Sequence, residues 1–315
     1  MDFHGNLKNL KITTEVVSDL LKEKKVRPSL LNTYFVETPK VKFSDIGGLK
    51  ETKKMLEELV IFPFKYPELY KRLGGKSTKG LLFHGSPGCG KTLLAKALAR
   101  ESNMNFISIK GAEVLKHWLG ESEATVRDIF AKARAAAPCI IFFDELDAIS
   151  MERGELGNVH SDRVTAQILT EIDGLEESKD VICIGATNRL DVVDEAISRP
   201  GRLYPLVKID LPDEEARIDI LRIHTREKPI DKEVNLAHLA KKTDGMSGAA
   251  LEEICNLAAI YAIREAIHDF ELLKAENNTN SFVPEIYTIK NKHFNEAFIV
   301  VTKKLKEEKE LGLYC

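Results

Sequence analysis

The sequence predicts an α/β fold in which a parallel sheet, covered by helices on both faces, is followed by an all-helical region. Three observations carry this. Short apolar strands alternate with helices between Phe43 and about Leu211. The first of those strands runs into a glycine-rich loop that opens a helix. Beyond Pro212 the strand pattern stops and only helical spacing remains.

Residues 1–40 form a lead-in. Val16, Val17, Leu20 and Leu21 recur at helical spacing, so Thr14–Lys24 is expected to be one amphipathic helix. Arg27–Pro28 ends it, and an extended stretch runs on to Lys42. Residues 41–211 form the α/β region. Its expected strands are Gly80–His84, Phe106–Lys110, Cys139–Phe143, Val181–Gly185 and Leu206–Ile209, each short and rich in aliphatic or aromatic residues. Helices Lys91–Glu101 and Ser122–Ala136 lie between them. In the second, Val126, Ile129, Phe130 and Ala133 make one apolar stripe. Residues 212–315 form the helical region, with helices expected at Asp213–His224, Leu236–Lys242, Ser247–His268 and Lys292–Glu310. Asn277–Ser281 is expected to be a loose loop, and the mixed charges of Lys303–Glu310 a solvated helix end.

Composition narrows the functional classes. The chain is 43% hydrophobic and 30% charged, enough to build a core and unlike a disordered chain. A net charge of −3 argues against a protein whose main task is gripping nucleic acid. Purely apolar runs such as Cys139–Phe143 are far short of the roughly 20 residues of a membrane span. Met1–Leu10 is polar, without a signal-peptide core. A soluble, intracellular protein is expected: cytoplasmic, with the nucleus open for a eukaryotic source, and no membrane insertion. Cys89, Cys139, Cys183, Cys255 and Cys315 are scattered and odd in number, which suits a reduced compartment better than disulfides or a zinc site.

Gly85-Ser86-Pro87-Gly88-Cys89-Gly90-Lys91-Thr92 matches GxxxxGK[ST], after an expected strand and before an expected helix. Glycines let the backbone curl until its N–H groups point at phosphate oxygens, and the helix N-terminus adds positive potential there. Lys91 is expected to reach the β and γ phosphates and the Thr92 hydroxyl to ligate Mg²⁺. Leu93 completes the cradle. Cys89 is either a reactive thiol with a lowered pKa or a small space-filling residue, and the second reading is preferred.

Ile140–Phe143 delivers Asp144 and Glu145 to the sheet edge. Adjacent strand residues point in opposite directions, so the two acids are expected to divide the work. Asp144 is assigned to the Mg²⁺ shell, and Glu145 orients and deprotonates the attacking water. Val181–Gly185 runs on to Asn188, a candidate contact for the γ phosphate and the water. Arg199 and Arg202, across a Pro-Gly turn, are either surface charge or cations that reach a neighbouring subunit's nucleotide.

Several segments in one order now carry a resemblance: Phe43–Leu49, Gly85–Thr92, Phe106–Gly111, Gly120–Glu123, Phe142–Asp147, Gly185–Arg189 and Arg199–Arg202. From about Val26 to Leu311 the chain resembles an AAA+ ATPase of the valosin-containing-protein class, above all the second of that class's two tandem ATPase domains. The resemblance implies a P-loop NTPase αβα sandwich with a five-stranded parallel sheet and a small all-α AAA+ lid. It implies ATP and ADP as ligands with Mg²⁺, and a homo-hexamer with ATP at its subunit interfaces. By position Asn188 resembles the family's sensor residue, and Arg199 and Arg202 its arginine fingers acting in trans. Asp45, Ile46, Gly47, Ile220, His224, Gly248 and Ala249 match its base and ribose pocket. The family's pore loop falls on Lys116, His117, Trp118 and Leu119, with a second loop from Met151 through Arg153 to Asp162. An aromatic in a pore grips polypeptide in a sequence-tolerant way.

The implied activity is a protein unfoldase or segregase acting on unfolded or ubiquitin-linked clients through adaptors. A nucleic-acid motor or loader, a ribosome-maturation ATPase of the same class and a nucleotide-gated scaffold stay open as alternatives. Ser86, Leu190, Tyr204 and Ala250 depart from the family's common residues. Residues 1–40 resemble the linker between tandem domains, so the ring is expected either of this chain alone or of a longer tandem chain.

Overall fold

The computed structural model describes residues 36–75, 77–111, 122–149, 159–177, 180–277 and 287–310. The expected helix at Thr14–Lys24 lies outside them. Six strands form one sheet: β1 Val36–Glu37, β2 Gly80–His84, β3 Asn105–Lys110, β4 Cys139–Asp144, β5 Val181–Thr187 and β6 Leu206–Lys208. Their order is β1-β3-β4-β5-β2-β6. Five are parallel, as the sequence predicts. The sixth, β1, is a correction to the five-stranded expectation: it adds antiparallel to β3, pairing Val36 with Ile107 and Glu37 with Phe106.

The helices are α1 Lys50–Leu56, α2 Phe62–Lys65, α3 Pro67–Leu73, α4 Lys91–Glu101, α5 Ser122–Ala135, α6 Leu146–Ile149, α7 Val159–Asp173, α8 Glu214–Thr225, α9 Leu236–Lys242, α10 Gly248–Asn277 and α11 Asn291–Glu310. Strand residues are buried on both sides because helices cover both faces. On one face Phe83, Phe106, Ile140, Phe142 and Ile184 pack with Leu94 and Leu98 of α4. On the other, Phe143 meets Phe130 of α5, with ring centroids 6.3 Å apart. The stripe Val126, Ile129, Phe130 and Ala133 is buried, as its spacing requires.

After β6 only helices follow among the described residues. Asp213 caps α8 by accepting the Ala216 N–H at 2.8 Å, and Asn235 caps α9 by accepting that of His238 at 3.0 Å. Leu221, Leu239, Leu251, Ile254, Phe294 and Val301 centre a second core. The buried Arg217 guanidinium ties the Pro212 and Ala240 carbonyls to this body, each at 2.9 Å. Two stretches depart from expectation by more than a residue or two. α10 runs to Asn277, so the helix expected to stop at His268 takes in the start of the expected loop; residues 278–286 lie outside the description. α7 begins at Val159, so helix replaces the last part of the second pore loop expected up to Asp162. The helix runs on through the buried Val164 and Ile168, whose packing holds it.

Candidate active site

The P-loop follows β2 because three positions accept what only glycine tolerates. Gly85, Gly88 and Gly90 have φ of 141°, 72° and 88°. A Cβ on Gly85 would lie 2.1 Å from the Ile209 carbonyl oxygen. Gly90 precedes α4 without a side chain to cap it, which leaves the first-turn N–H groups facing the loop, the arrangement that suits an anion. Lys91 is 7% exposed. Its Nζ donates to the carbonyls of Gly85 at 2.8 Å and Ser86 at 2.9 Å, which centres the ammonium in the loop. Burial lowers its pKa, and the fields of Cys89, Asp144 and Asp147 oppose that fall.

β5 lies between β2 and β4, with His84 paired to Thr187 and Phe143 to Gly185. The carboxyl ends of three strands therefore meet in one crevice, where open α/β sheets bind ligands. Thr92 Oγ1 donates to Asp144 Oδ2 at 2.8 Å, across 52 residues of sequence. Asp144 Oδ1 accepts the Glu145 N–H at 3.1 Å. A hydroxyl and a carboxylate in contact are a hard-oxygen donor set, which fits Mg²⁺. Strand alternation does not set the direction of Glu145 as expected. β4 ends at Asp144, and Glu145 turns off it with φ 54°. Gly111 makes this turn possible, since a Cβ there would lie 2.3 Å from the Glu145 carbonyl oxygen. Asn188, the first residue after β5, lines the same cavity as Lys91, Thr92, Asp144 and Glu145.

That cavity has a volume of about 910 Å³ and extends between the sheet edge and the helical region. Every residue expected in the base pocket lines it: Asp45, Ile46, Gly47, Ile220, His224, Gly248 and Ala249. So do Pro87 to Leu93 of the P-loop. Gly85 and Ser86 do not; their carbonyls accept from Lys91. Glycine at 47 is required by contact, because a Cβ would lie 2.6 Å from Ile220 Cγ1. The Ala249 N–H donates to the Gly88 carbonyl at 3.0 Å, docking the start of α10 on the P-loop. Burial lowers the pKa of His224, keeping the ring neutral near pH 7. Burial raises that of Cys89 against the opposing pull of Lys91, which supports the space-filling reading over the reactive one.

Sequence reasoning missed Arg226. It follows α8, and its Nη1 donates to Asp45 Oδ1 at 3.1 Å. An exposed arginine after a helix carries no sequence signal; only the fold brings it 181 residues back. Arg199 and Arg202 are not brought to this cavity. Arg199 is exposed, and Arg202 is held by Asp173 and the Ala196 carbonyl. Lys116, His117, Trp118, Leu119 and Arg153 lie outside the described residues.

The profile of the ATPase family associated with various cellular activities (AAA) matches residues 81–211, and that of the AAA+ lid domain matches residues 233–276. The chain is also similar to the Cell division cycle protein 48 homolog of Archaeoglobus fulgidus, with 47% identity over 303 residues. That similarity takes in 96% of this chain and 40% of the relative, so the chain spans well under half the length of the protein it matches. With both profiles in sequence order, this protein carries an AAA ATPase domain followed by an AAA+ lid domain, and the identity running on through the segments outside them is consistent with the valosin-containing-protein class.

Proposed function

We propose that this chain hydrolyses ATP to ADP and phosphate as one subunit of a homo-hexameric ring that remodels protein clients. The contact that carries the proposal is the 2.8 Å hydrogen bond between Thr92 on the P-loop helix and Asp144 at the end of β4. It joins the phosphate cradle to the acid pair. Mg²⁺ held by Thr92 and Asp144 would neutralise charge on the β and γ phosphate oxygens. The α4 N–H groups and Lys91 bind those oxygens and hold the γ phosphorus in line with the incoming water. Glu145 takes a proton from that water as its oxygen bonds to phosphorus, and the bond to the β–γ bridging oxygen breaks to release ADP. Asn188 orients the water. Asp45, Ile46, Gly47, Ile220, His224, Gly248 and Ala249 hold the base and ribose.

Arg199 and Arg202 act on the neighbouring subunit's ATP. Neither lines its own cavity, which supports this trans role. The client passes through the ring's pore, gripped by Trp118 and Leu119 with Lys116 or His117, and Arg153 belongs to a second pore loop. Clients are unfolded or ubiquitin-linked proteins brought by adaptors in the cytoplasm.

Turnover measured with and without Mg²⁺, alongside solution mass with and without ATP, tests the proposal. Turnover is expected to need Mg²⁺ and to rise with assembly. Glu145→Gln is expected to keep ATP binding and to lose about 10²–10⁴-fold in turnover. An equally active Glu145→Gln would remove Glu145 from the mechanism. Strong stimulation by single-stranded DNA with steep salt dependence would favour a nucleic-acid motor instead.

A further inference from the structure

Asn188 sits at the apex of a turn whose shape is set by two residues outside the cavity lining. Thr187 ends β5 and is 1% exposed. Its one hydroxyl proton goes to Asp147 Oδ1 at 2.7 Å. Its oxygen accepts the Arg189 N–H at 2.9 Å. That bond, from residue i+2 back to the side chain of residue i, closes a tight turn across Asn188. The two bonds depend on each other. A hydroxyl rotates freely until its proton is committed, and commitment to Asp147 leaves a lone pair facing Arg189. Asp147 stands on α6, the single helical turn that follows Glu145. The same turn is seated on β5 by Leu146, whose Cδ2 would lie 3.0 Å from a Cβ on Gly185. One apolar and one polar contact therefore join the segment that follows Glu145 to the strand that leads into Asn188.

We infer that Asp147 and Thr187 are positioning residues for hydrolysis, acting through Asn188: their hydrogen bonds lock the turn that aims the Asn188 amide at the attacking water. The inference rests on the ATPase reading of the site. Neither residue lines the cavity. Their loss moves the amide and leaves the phosphate cradle in place.

The test uses the full chain and two readouts, steady-state turnover and binding of ADP. Thr187→Val removes the hydroxyl at similar shape, and Asp147→Ala removes its acceptor. Each is expected to lower kcat by about ten- to a hundredfold, the scale of a displacement near 1 Å, with KM and ADP affinity changed by less than about twofold. Thr187→Ser and Asp147→Asn keep a hydroxyl and an acceptor oxygen, and are expected to retain most of the turnover. Asp147→Asn also removes the charge near Lys91, so its activity separates the hydrogen bond from that field. In an Asn188→Ala background, Thr187→Val is expected to add nothing. Wild-type kcat in Thr187→Val, or a further fall of equal size in the Asn188→Ala background, would overturn the inference. Loss of ADP binding in both variants would overturn it as well, in favour of a structural role. A wild-type chain without turnover would instead remove the ATPase reading and this inference together.

Discussion

Arg202 grips Asp173 with two parallel hydrogen bonds, Nε to Oδ1 at 2.9 Å and Nη2 to Oδ2 at 2.8 Å. Arg202 lies in the turn that precedes β6 and Asp173 ends α7, so a helix end in this subunit aims a cation proposed to serve the next one. The guanidinium holds the Asp173 carboxyl below the usual carboxylate range. Replacing Arg202 by Ala is expected to cost about 10³-fold in the turnover of the assembled ring, the low end for such arginines. Asp173→Ala keeps the cation but loosens its aim, and a fall of about tenfold is expected. Turnover as a function of protein concentration, with ADP affinity as the control, checks both.

Gly88 joins the P-loop to the helical region. Its φ is 72°, and a Cβ would lie 2.9 Å from Ser247 Oγ and 3.0 Å from Ala249 Cβ. Gly88→Ala is therefore expected to destabilise the protein by about 1–3 kcal/mol and to weaken ADP binding. Calorimetry with and without ADP measures both, and unchanged affinity would separate the docking of α10 from nucleotide binding.

Arg226 and Asp45 tie the end of α8 to the base side of the cavity, with side-chain exposures of 56% and 29%. Exposed pairs are worth at most about 1 kcal/mol. Arg226→Ala is accordingly expected to raise the KM for ATP by no more than about fivefold at low salt, leaving kcat unchanged. Added salt should shrink the difference between variant and wild type.

Glu265 on α10 faces two residues of the following segment. Lys292 first, and then His293, hold its pKa down to about 2 from 4.5. His293 is buried and meets it at 2.7 Å. A carboxyl depressed in the folded state contributes stability that is complete above its ordinary pKa and is lost as pH falls through the folded value. Glu265→Gln is thus expected to be less stable than wild type at neutral pH, with the gap closing between about pH 4.5 and about pH 2. Urea unfolding followed by circular dichroism across that range reads the gap directly.

The parallel strands were legible because each is a short apolar run, and burial on both faces requires that composition. β1 was not: two exposed residues, Val36 and Glu37, carry no pattern, and only the open edge of β3 makes them a strand. The tight loop between β2 and α4 was legible in its glycines, three of which take positive φ. The pleat expected to set Asp144 against Glu145 does not reach Glu145, where the backbone leaves β4 in a left-handed turn. Asp147, Thr187 and Arg226 stayed hidden because their meaning lies in partners far away in sequence.

By itself the sequence determined whatever contiguous backbone can encode: glycines that permit positive φ, a helix that begins at Lys91, and strands dense enough in apolar side chains to be buried. These follow from sterics and local hydrogen bonding over a few residues. Only the tertiary structure decided which distant groups meet, such as Thr92 with Asp144, Arg226 with Asp45 and Arg202 with Asp173. Those meetings depend on strand order and helix docking, which are settled by pairing and burial summed over the whole chain.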